Sequence, residues 1–238
     1  MTQFVYGKNV VKQMLKDGTP IKHFYLAVED KELEQLAKKR NLKIEKCNKD
    51  QMSKMAKANN HQGVAVVIEE YRTYSLKEIL ESIPENQKGW LLMLDELEDP
   101  HNLGAILRTC DAAGVHGVII KKDRAVGLTP VVAKVSAGAI DTVKVHQATN
   151  LTQTLKELKS KGYWVVGTDM KGTDYRKQDY DMPIVLVIGN EGKGISRLVK
   201  EECDFMVTLP MRGKIQSLNA SVATGILLYE IGDKRFPL

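Results

Sequence analysis

The sequence predicts an α/β protein of two units, a small basic one followed by a larger one built on a parallel sheet. Three observations carry this. Apolar, strand-type runs alternate with helical patterns along the chain, the order that yields parallel sheets covered by helices. A length of 238 residues fits one large domain or two small ones. The net charge of +5 falls entirely in residues 1–75, which hold 14 Lys and Arg against 9 Asp and Glu, while residues 76–238 hold 21 of each.

In chain order, residues 7–15 carry Val10, Val11, Met14 and Leu15 at helical spacing, and Gly18-Thr19-Pro20 ends the run. Residues 21–28 read as a strand, 31–40 as a helix, 42–44 as a short strand, and 50–57 as a helix with Asp50 as its N-cap. Asn59-Asn60-His61-Gln62-Gly63 forms a turn before a β-branched strand at 64–68. A unit of about 70 residues is near the size at which a domain folds alone. Residues 69–75 are polar and aperiodic and read as a linker, and 76–83 as a short helix. The expected division is 1–70, a basic α/β domain; 71–88, linker and short helix; and 89–238, the larger domain. Within the last, strands are expected at 90–94, 117–120, 163–167, 183–188 and 205–209. Helices are expected at 102–113, 130–137, 151–161, 196–202 and 220–231. The apolar runs are of the kind buried on both faces.

Charge confined to one end points to a polyanionic partner, because a phosphate backbone rewards clustered Lys and Arg by releasing counterions. A solvated lysine-rich surface is the plainer alternative. No apolar run approaches the roughly 18 residues of a membrane span. Residues 1–16 lack the apolar core of a signal peptide. Cys47, Cys110 and Cys203 are widely spaced and odd in number, which reads as buried thiols in a reducing cytoplasm rather than a disulfide framework. His23, His61, His101, His116 and His146 show no metal-ligand spacing, so no metal is expected. There is no nucleophile elbow, no Walker A segment and no GxGxxG, which disfavours a dinucleotide dehydrogenase.

Ligands of open parallel sheets bind at the carboxyl ends of strands, and three such ends are rich in polar residues and glycine. The first runs from Leu94 through Asp99-Pro100-His101-Asn102-Leu103-Gly104 to Arg108, with a helix opening near Asn102. Read alone, Asp99 or Asn102 is a cap and Arg108 a surface residue. The second is Ile188-Gly189-Asn190-Glu191-Gly192-Lys193-Gly194, where glycines let a backbone approach a ligand. A glycine-rich turn beside a helix start is the alternative. The third is Leu209-Pro210-Met211-Arg212-Gly213 continuing to Ser217-Leu218-Asn219-Ala220-Ser221-Val222-Ala223. Here Ser217 or Asn219 can cap the last helix, and Ala220, Ala223 and Gly225 permit close packing.

Taken together and in this order, the three segments resemble the signature motifs of the SpoU (TrmH) family of RNA 2′-O-ribose methyltransferases. Tyr6-Gly7-Lys8-Asn9-Val10-Val11 and Asn60-His61-Gln62-Gly63-Val64 resemble the small N-terminal RNA-binding domain of the branch acting on guanosine in 23S rRNA. The sequence departs from the pattern at Asn190, where a small residue is common. The resemblance implies a parallel-sheet SPOUT domain with a deep trefoil knot. It also implies S-adenosylmethionine as cofactor and a homodimer through the C-terminal domain, with both subunits at each site. The cofactor would be held by Thr168, Gly189, Gly192, Leu209, Met211 and Leu218. Arg108, with Asn102, Glu191, Ser217 and Asn219 orienting it and the ribose, would carry the chemistry. A free guanidinium stays protonated at ordinary pH, so Arg108 is expected to hold a phosphate and stabilise the forming alkoxide rather than act as base. The implied partner is RNA, rRNA before tRNA; a non-catalytic RNA-binding protein of the same fold is the other alternative.

Overall fold

The computed structural model describes residues 2–123, 125–215 and 217–236, in two compact units, Met1–Tyr71 and Arg72–Leu238.

In the first unit, strands β1 (Thr2–Tyr6), β2 (His23–Leu26), β3 (Ile44–Lys46) and β4 (Val64–Glu69) form one sheet in the order β1-β4-β2-β3. β4 runs antiparallel to β1 and β2, and β2 is parallel to β3. Helices α1 (Lys8–Asp17) and α2 (Lys31–Lys39) bury Val11, Met14, Leu15, Leu33 and Ala37 against Phe24, Leu26, Val64, Val66 and Ile68 on one face. α1 stops at Gly18, whose φ of 78° is left-handed. α3 (Lys49–Ala56) packs on β1 and β4 and buries Met52. Its cap is Asn48, in a reciprocal pair with Gln51, and not Asp50. Buried His61 shapes the following turn. Its Nδ1 accepts from the Gly63 amide at 3.0 Å, so Nε2 carries the proton and donates to Ser53 Oγ at 2.9 Å. β1 was not expected, and β3 lies two residues later than the sequence pattern placed it.

Asp30 caps α2, accepting from the amides of Glu32 and Leu33 at 3.1 Å, and pairs with Lys8 Nζ at 2.6 Å. The Lys8 ammonium holds the Asp30 carboxyl below its usual range. A carboxylate with a depressed folded pKa contributes its stability above the unfolded value, near 4, and loses it as pH falls through the folded value. Asp30→Asn keeps the cap acceptor and removes the charge. It is expected to cost about 1 kcal/mol at neutral pH, shrinking progressively below about pH 4, as read by urea unfolding. An equal cost at both pH values would mean that the charge contributes nothing.

The second unit begins with α4 (Leu76–Glu81), capped by the reciprocal pair Ser75 and Glu78. Six parallel strands follow: β5 (Trp90–Leu94), β6 (Gly117–Lys121), β7 (Val145–Ala148), β8 (Trp164–Asp174), β9 (Ile184–Ile188) and β10 (Phe205–Thr208). Their order is β10-β8-β9-β5-β6-β7, so β9 enters between β8 and β5. α4, α8 (Leu151–Ser160) and α9 (Arg197–Glu201) pack on one face, burying Leu76, Ile79, Leu155, Leu158 and Val199 against Leu91, Met93, Val165 and Val185. On the other face, α5 (Pro100–Ala113) packs against α6 (Pro130–Val135), α7 (Ala139–Thr142) and α10 (Ala220–Arg235). Gly104 makes the close crossing with α6 possible, since a Cβ there would lie 2.6 Å from Val135 Cβ.

α5 opens at Pro100 with Asp99 as cap, so Asn102 lies inside the helix, free for another role. α10 is tied down at its far end by Arg235. Its guanidinium lies over the Trp90 ring and donates to the carbonyls of Tyr180 at 3.0 Å, Lys88 at 3.3 Å, Gly89, and Met182. Burial lowers the Arg235 pKa to about 10. The three cysteines are free; Cys110 is buried, while Cys47 and Cys203 are half-buried. Among the described residues no helix is long and apolar enough to cross a membrane.

Candidate active site

A cavity of about 850 Å³ opens at the carboxyl ends of β9 and β10, against the middle of β8 (Thr168 to Lys171), and is closed by the first turns of α10. That volume is typical of small-molecule sites. All six residues expected to hold a cofactor, Thr168, Gly189, Gly192, Leu209, Met211 and Leu218, line it. So do Glu191 and Ser217. Gln216, in the same third segment, lies outside the described residues.

The wall after β9 is a turn that closes on itself. Asn190 N donates to Gly194 O at 3.1 Å, and Gly194 N donates back to Asn190 O at 2.8 Å. Gly189 sits where a Cβ would come within 2.2 Å of the Gly194 carbonyl carbon and 2.3 Å of the Ile195 nitrogen. Only a hydrogen fits there. The Asn190 side chain braces the turn, its Oδ1 accepting from the amides of Gly192 at 2.9 Å and Lys193 at 3.2 Å and its Nδ2 donating to Glu96 O at 3.1 Å. Sequence reasoning noted Asn190 only as a departure from the family pattern and missed this role. Asp95, 2% exposed, fixes the next stretch by accepting from the Ser196 amide at 2.7 Å.

This turn presents Glu191 to a chain of amides. Asn102 Nδ2 donates to Glu191 Oε1, and Asn219 Nδ2 donates to Asn102 Oδ1 at 2.9 Å. Asn219 is also the cap of α10, its Oδ1 accepting from the Ser221 amide at 3.0 Å and the Ser221 hydroxyl at 2.6 Å. One side chain thus starts the last helix and holds Asn102 in a fixed orientation. With its oxygen taken by Asn219, buried Asn102 must present its NH₂ to Glu191. Three residues from the three segments therefore meet in one hydrogen-bonded row.

Elsewhere on the wall, Thr168 Oγ1 donates to Val187 O at 3.2 Å, and Lys200 pairs with Asp169, holding that carboxyl below its usual range. Ala220 and Ala223 of α10 line the cavity, whereas Gly225 faces Thr109 of α5, with a Cβ position 3.8 Å from Thr109 Cγ2. Arg108 does not join the cavity lining. It is exposed on α5, with no hydrogen-bond or ion-pair partner among the described residues. Among the described residues, no group of His, Cys, Asp and Glu is placed to hold a metal.

Residues 89–229 match the family described as SpoU rRNA Methylase, and residues 4–74 the family described as RNA 2′-O ribose methyltransferase substrate binding. YacO of Bacillus subtilis, named as a TrmH family tRNA/rRNA methyltransferase, is 46% identical over 242 residues, covering 99% of this chain and 97% of its own. A Staphylococcus haemolyticus protein, also named as a TrmH family tRNA/rRNA methyltransferase, is 43% identical over 238 residues, with 97% and 95% covered. Among solved structures, the AdoMet-bound rRNA methyltransferase of Sinorhizobium meliloti superposes with a TM-score of 0.64 at 29% identity, over 100% of this chain and 88% of that one. The TrmH/SpoU tRNA modifying enzyme of A. aeolicus gives 0.58 at 36% identity, over 67% and 82%.

Proposed function

The chain belongs to the SpoU family of RNA methyltransferases, and from that premise we propose that it methylates a ribose 2′-hydroxyl of RNA from S-adenosylmethionine, with guanosine of large-subunit rRNA in the cytoplasm as substrate. The observation that carries this reading is the row Asn219–Asn102–Glu191 set against a glycine-walled cavity of ligand size. The residues present fit the cofactor. Gly189 and Gly192 leave bare backbone on the cavity side, Thr168 offers a hydroxyl, and Leu209, Met211 and Leu218 offer apolar contact. S-adenosylmethionine, when bound, supplies a methyl on a sulfonium, and the neutral thioether that departs is a leaving group good enough to need no metal.

The chain's own residues have three tasks. Glu191, fixed by Asn102, and Ser217 on the same wall orient the ribose. Arg108, a planar two-pronged donor, grips the phosphate beside that ribose and stabilises the negative charge that develops on the 2′-oxygen as it bonds to the methyl and its proton passes to solvent water. Asn219 positions Asn102. Since Arg108 stands outside the cavity of its own subunit, the working site is assembled between two subunits of a homodimer, each lending Arg108 to its partner. Val222, Ile226 and Tyr229 support this. They lie at helical spacing on α10, next to α5, and are 50%, 38% and 55% exposed, an apolar stripe suited to a second copy.

The rRNA assignment rests on coverage. The rRNA methyltransferase of Sinorhizobium meliloti spans this whole chain, whereas the A. aeolicus tRNA modifying enzyme covers 67% of it. A tRNA substrate is the second reading, because the relatives' names include both. Tritiated methyl transfer to separate rRNA and tRNA pools, followed by nucleoside analysis, decides. Label in 2′-O-methylguanosine of large-subunit rRNA is the expected result. Label in tRNA moves the substrate, and binding of cofactor without transfer to either pool overturns the catalytic reading.

A further inference from the structure

We infer that the face of the N-terminal sheet opposite α1 and α2, where α3 leaves it uncovered, is a stacking platform for unpaired nucleobases of the RNA substrate, built from Phe4, Tyr25 and His23 and flanked by the lysines of α3. The inference deepens the proposed methyltransferase function and rests on it.

Strand pairing sets the platform out. Phe24 faces the α1/α2 core, so by strand alternation His23 and Tyr25 face the other way. Phe4, Val67 and His23 stand in one cross-strand row, and Tyr6, Ala65, Tyr25 and Glu45 in the next. The central pair, Ala65 and Val67, is covered, at 0% and 5% exposure. The rings above it are the outermost layer: Phe4 and Tyr25 are half-buried and His23 is exposed. The Phe4 and Tyr25 rings lie 6.2 Å apart at 18°, and those of His23 and Tyr25 6.0 Å apart at 16°. Three near-parallel rings over small residues on a sheet form a surface on which bases stack, as sheet-borne aromatics do in single-strand recognition.

Two further features select this occupant. Glu45 Oε1 lies 2.7 Å from His23 Nδ1, at the border of the rings, where a carboxylate can accept from the amino or imino edge of a stacked base. α3 packs on this same side of the sheet, and its Lys49, Lys54 and Lys57 are exposed with no acidic partner among the described residues. Asp50 is the single acid beside them. Elsewhere in the unit Lys8, Lys12, Lys22 and Lys46 are paired, with Asp30, Glu32, Glu69 and Glu34; of the lysines without an ion pair, those of α3 stand on the side of the sheet that carries the rings. Free cations beside exposed rings match a single strand, whose phosphates and bases need both. A duplex hides its base faces and has no use for the rings.

The test measures binding of a short unstructured RNA, and of the same sequence annealed as a duplex, to the full-length protein. Tyr25→Leu and His23→Ala are each expected to weaken single-strand binding about tenfold while leaving duplex binding and S-adenosylmethionine affinity unchanged, and to raise KM for RNA without lowering kcat. A 4-thiouridine RNA on the wild-type protein needs no substitution, and its photo-crosslinks should map to Phe4, His23 or Tyr25. Single-strand binding unchanged in both variants, or crosslinks lying only elsewhere, overturns the platform. If the wild-type protein methylates RNA while the variants match it, the platform alone falls. If the wild-type protein neither methylates RNA nor binds either oligonucleotide, the functional reading falls with it.

Discussion

Mixing an Arg108→Ala protein with a Glu191→Ala protein is expected to restore methyl transfer that neither has alone. Each substitution by itself should lower kcat by about 10²–10³, the usual cost of removing one preorganised charge-stabilising or orienting group. Glu191 lines the cavity and Arg108 does not, so the two act together only if Arg108 reaches the site of the partner subunit. In a heterodimer, one site then pairs an intact Glu191 with an intact Arg108, and the other has lost both. Random exchange makes about half the dimers mixed, and one good site in each gives roughly a quarter of wild-type activity. If both residues served the same subunit's site, no mixed dimer would have an intact site. Absence of recovery, with exchange verified by capture of differently tagged subunits, would falsify the shared site.

Gly189→Ala should abolish cofactor binding and lower the melting temperature by about 5–10 °C, whereas Gly192→Ala, three residues away in the same turn, should leave the melting temperature unchanged. At Gly189 the added methyl meets backbone, 2.2 Å from Gly194 and 2.3 Å from Ile195. Backbone cannot rotate aside, so the Asn190–Gly194 bridge must open and Glu191 must move with it. A cost of about 3 kcal/mol, the upper end of overpacking, corresponds to that shift for a chain of this size. At Gly192 the nearest atom to a new Cβ is Asn190 Oδ1 at 3.6 Å, an ordinary contact. Differential scanning calorimetry and titration with S-adenosylmethionine read both effects. Equal behaviour of the two variants would show that closure of the turn does not shape the site.

The sequence patterns located the elements whose burial is unambiguous. Trp90–Leu94 is apolar throughout because helices cover both faces of β5, and its limits match the expected strand. The strands missed are edge strands. β1 is only half-buried, and β7, Val145–Ala148, carries His146 and Gln147 in four residues. A polar, short edge strand has no period long enough to read. α7, four residues long, escaped for the same reason. The cap of α3 was readable, since Asn48 and Gln51 have capping-box spacing, but Asp50 competed with it. For the site, local segments were enough to list the wall residues, because glycine and polar clusters at strand ends are local. The meeting of Asn102 with Asn219 was not legible. It depends on how α5 packs against α10, which no window of sequence contains. Arg108 stands exposed on α5, where its segment read alone had placed it.

The hydrogen bond from Asn219 to Asn102 closes a loop of 117 residues, and that from Arg235 to Lys88 a loop of 147. Contacts so distant in sequence carry a loop-closure cost that local structure does not repay, and they form late. The order of synthesis thereby becomes an order of competence. A nascent chain can complete the N-terminal unit, and with it a surface for RNA, long before the helix that caps and clamps the cavity has left the ribosome. Grip on the substrate comes first in time, and the means to modify it last.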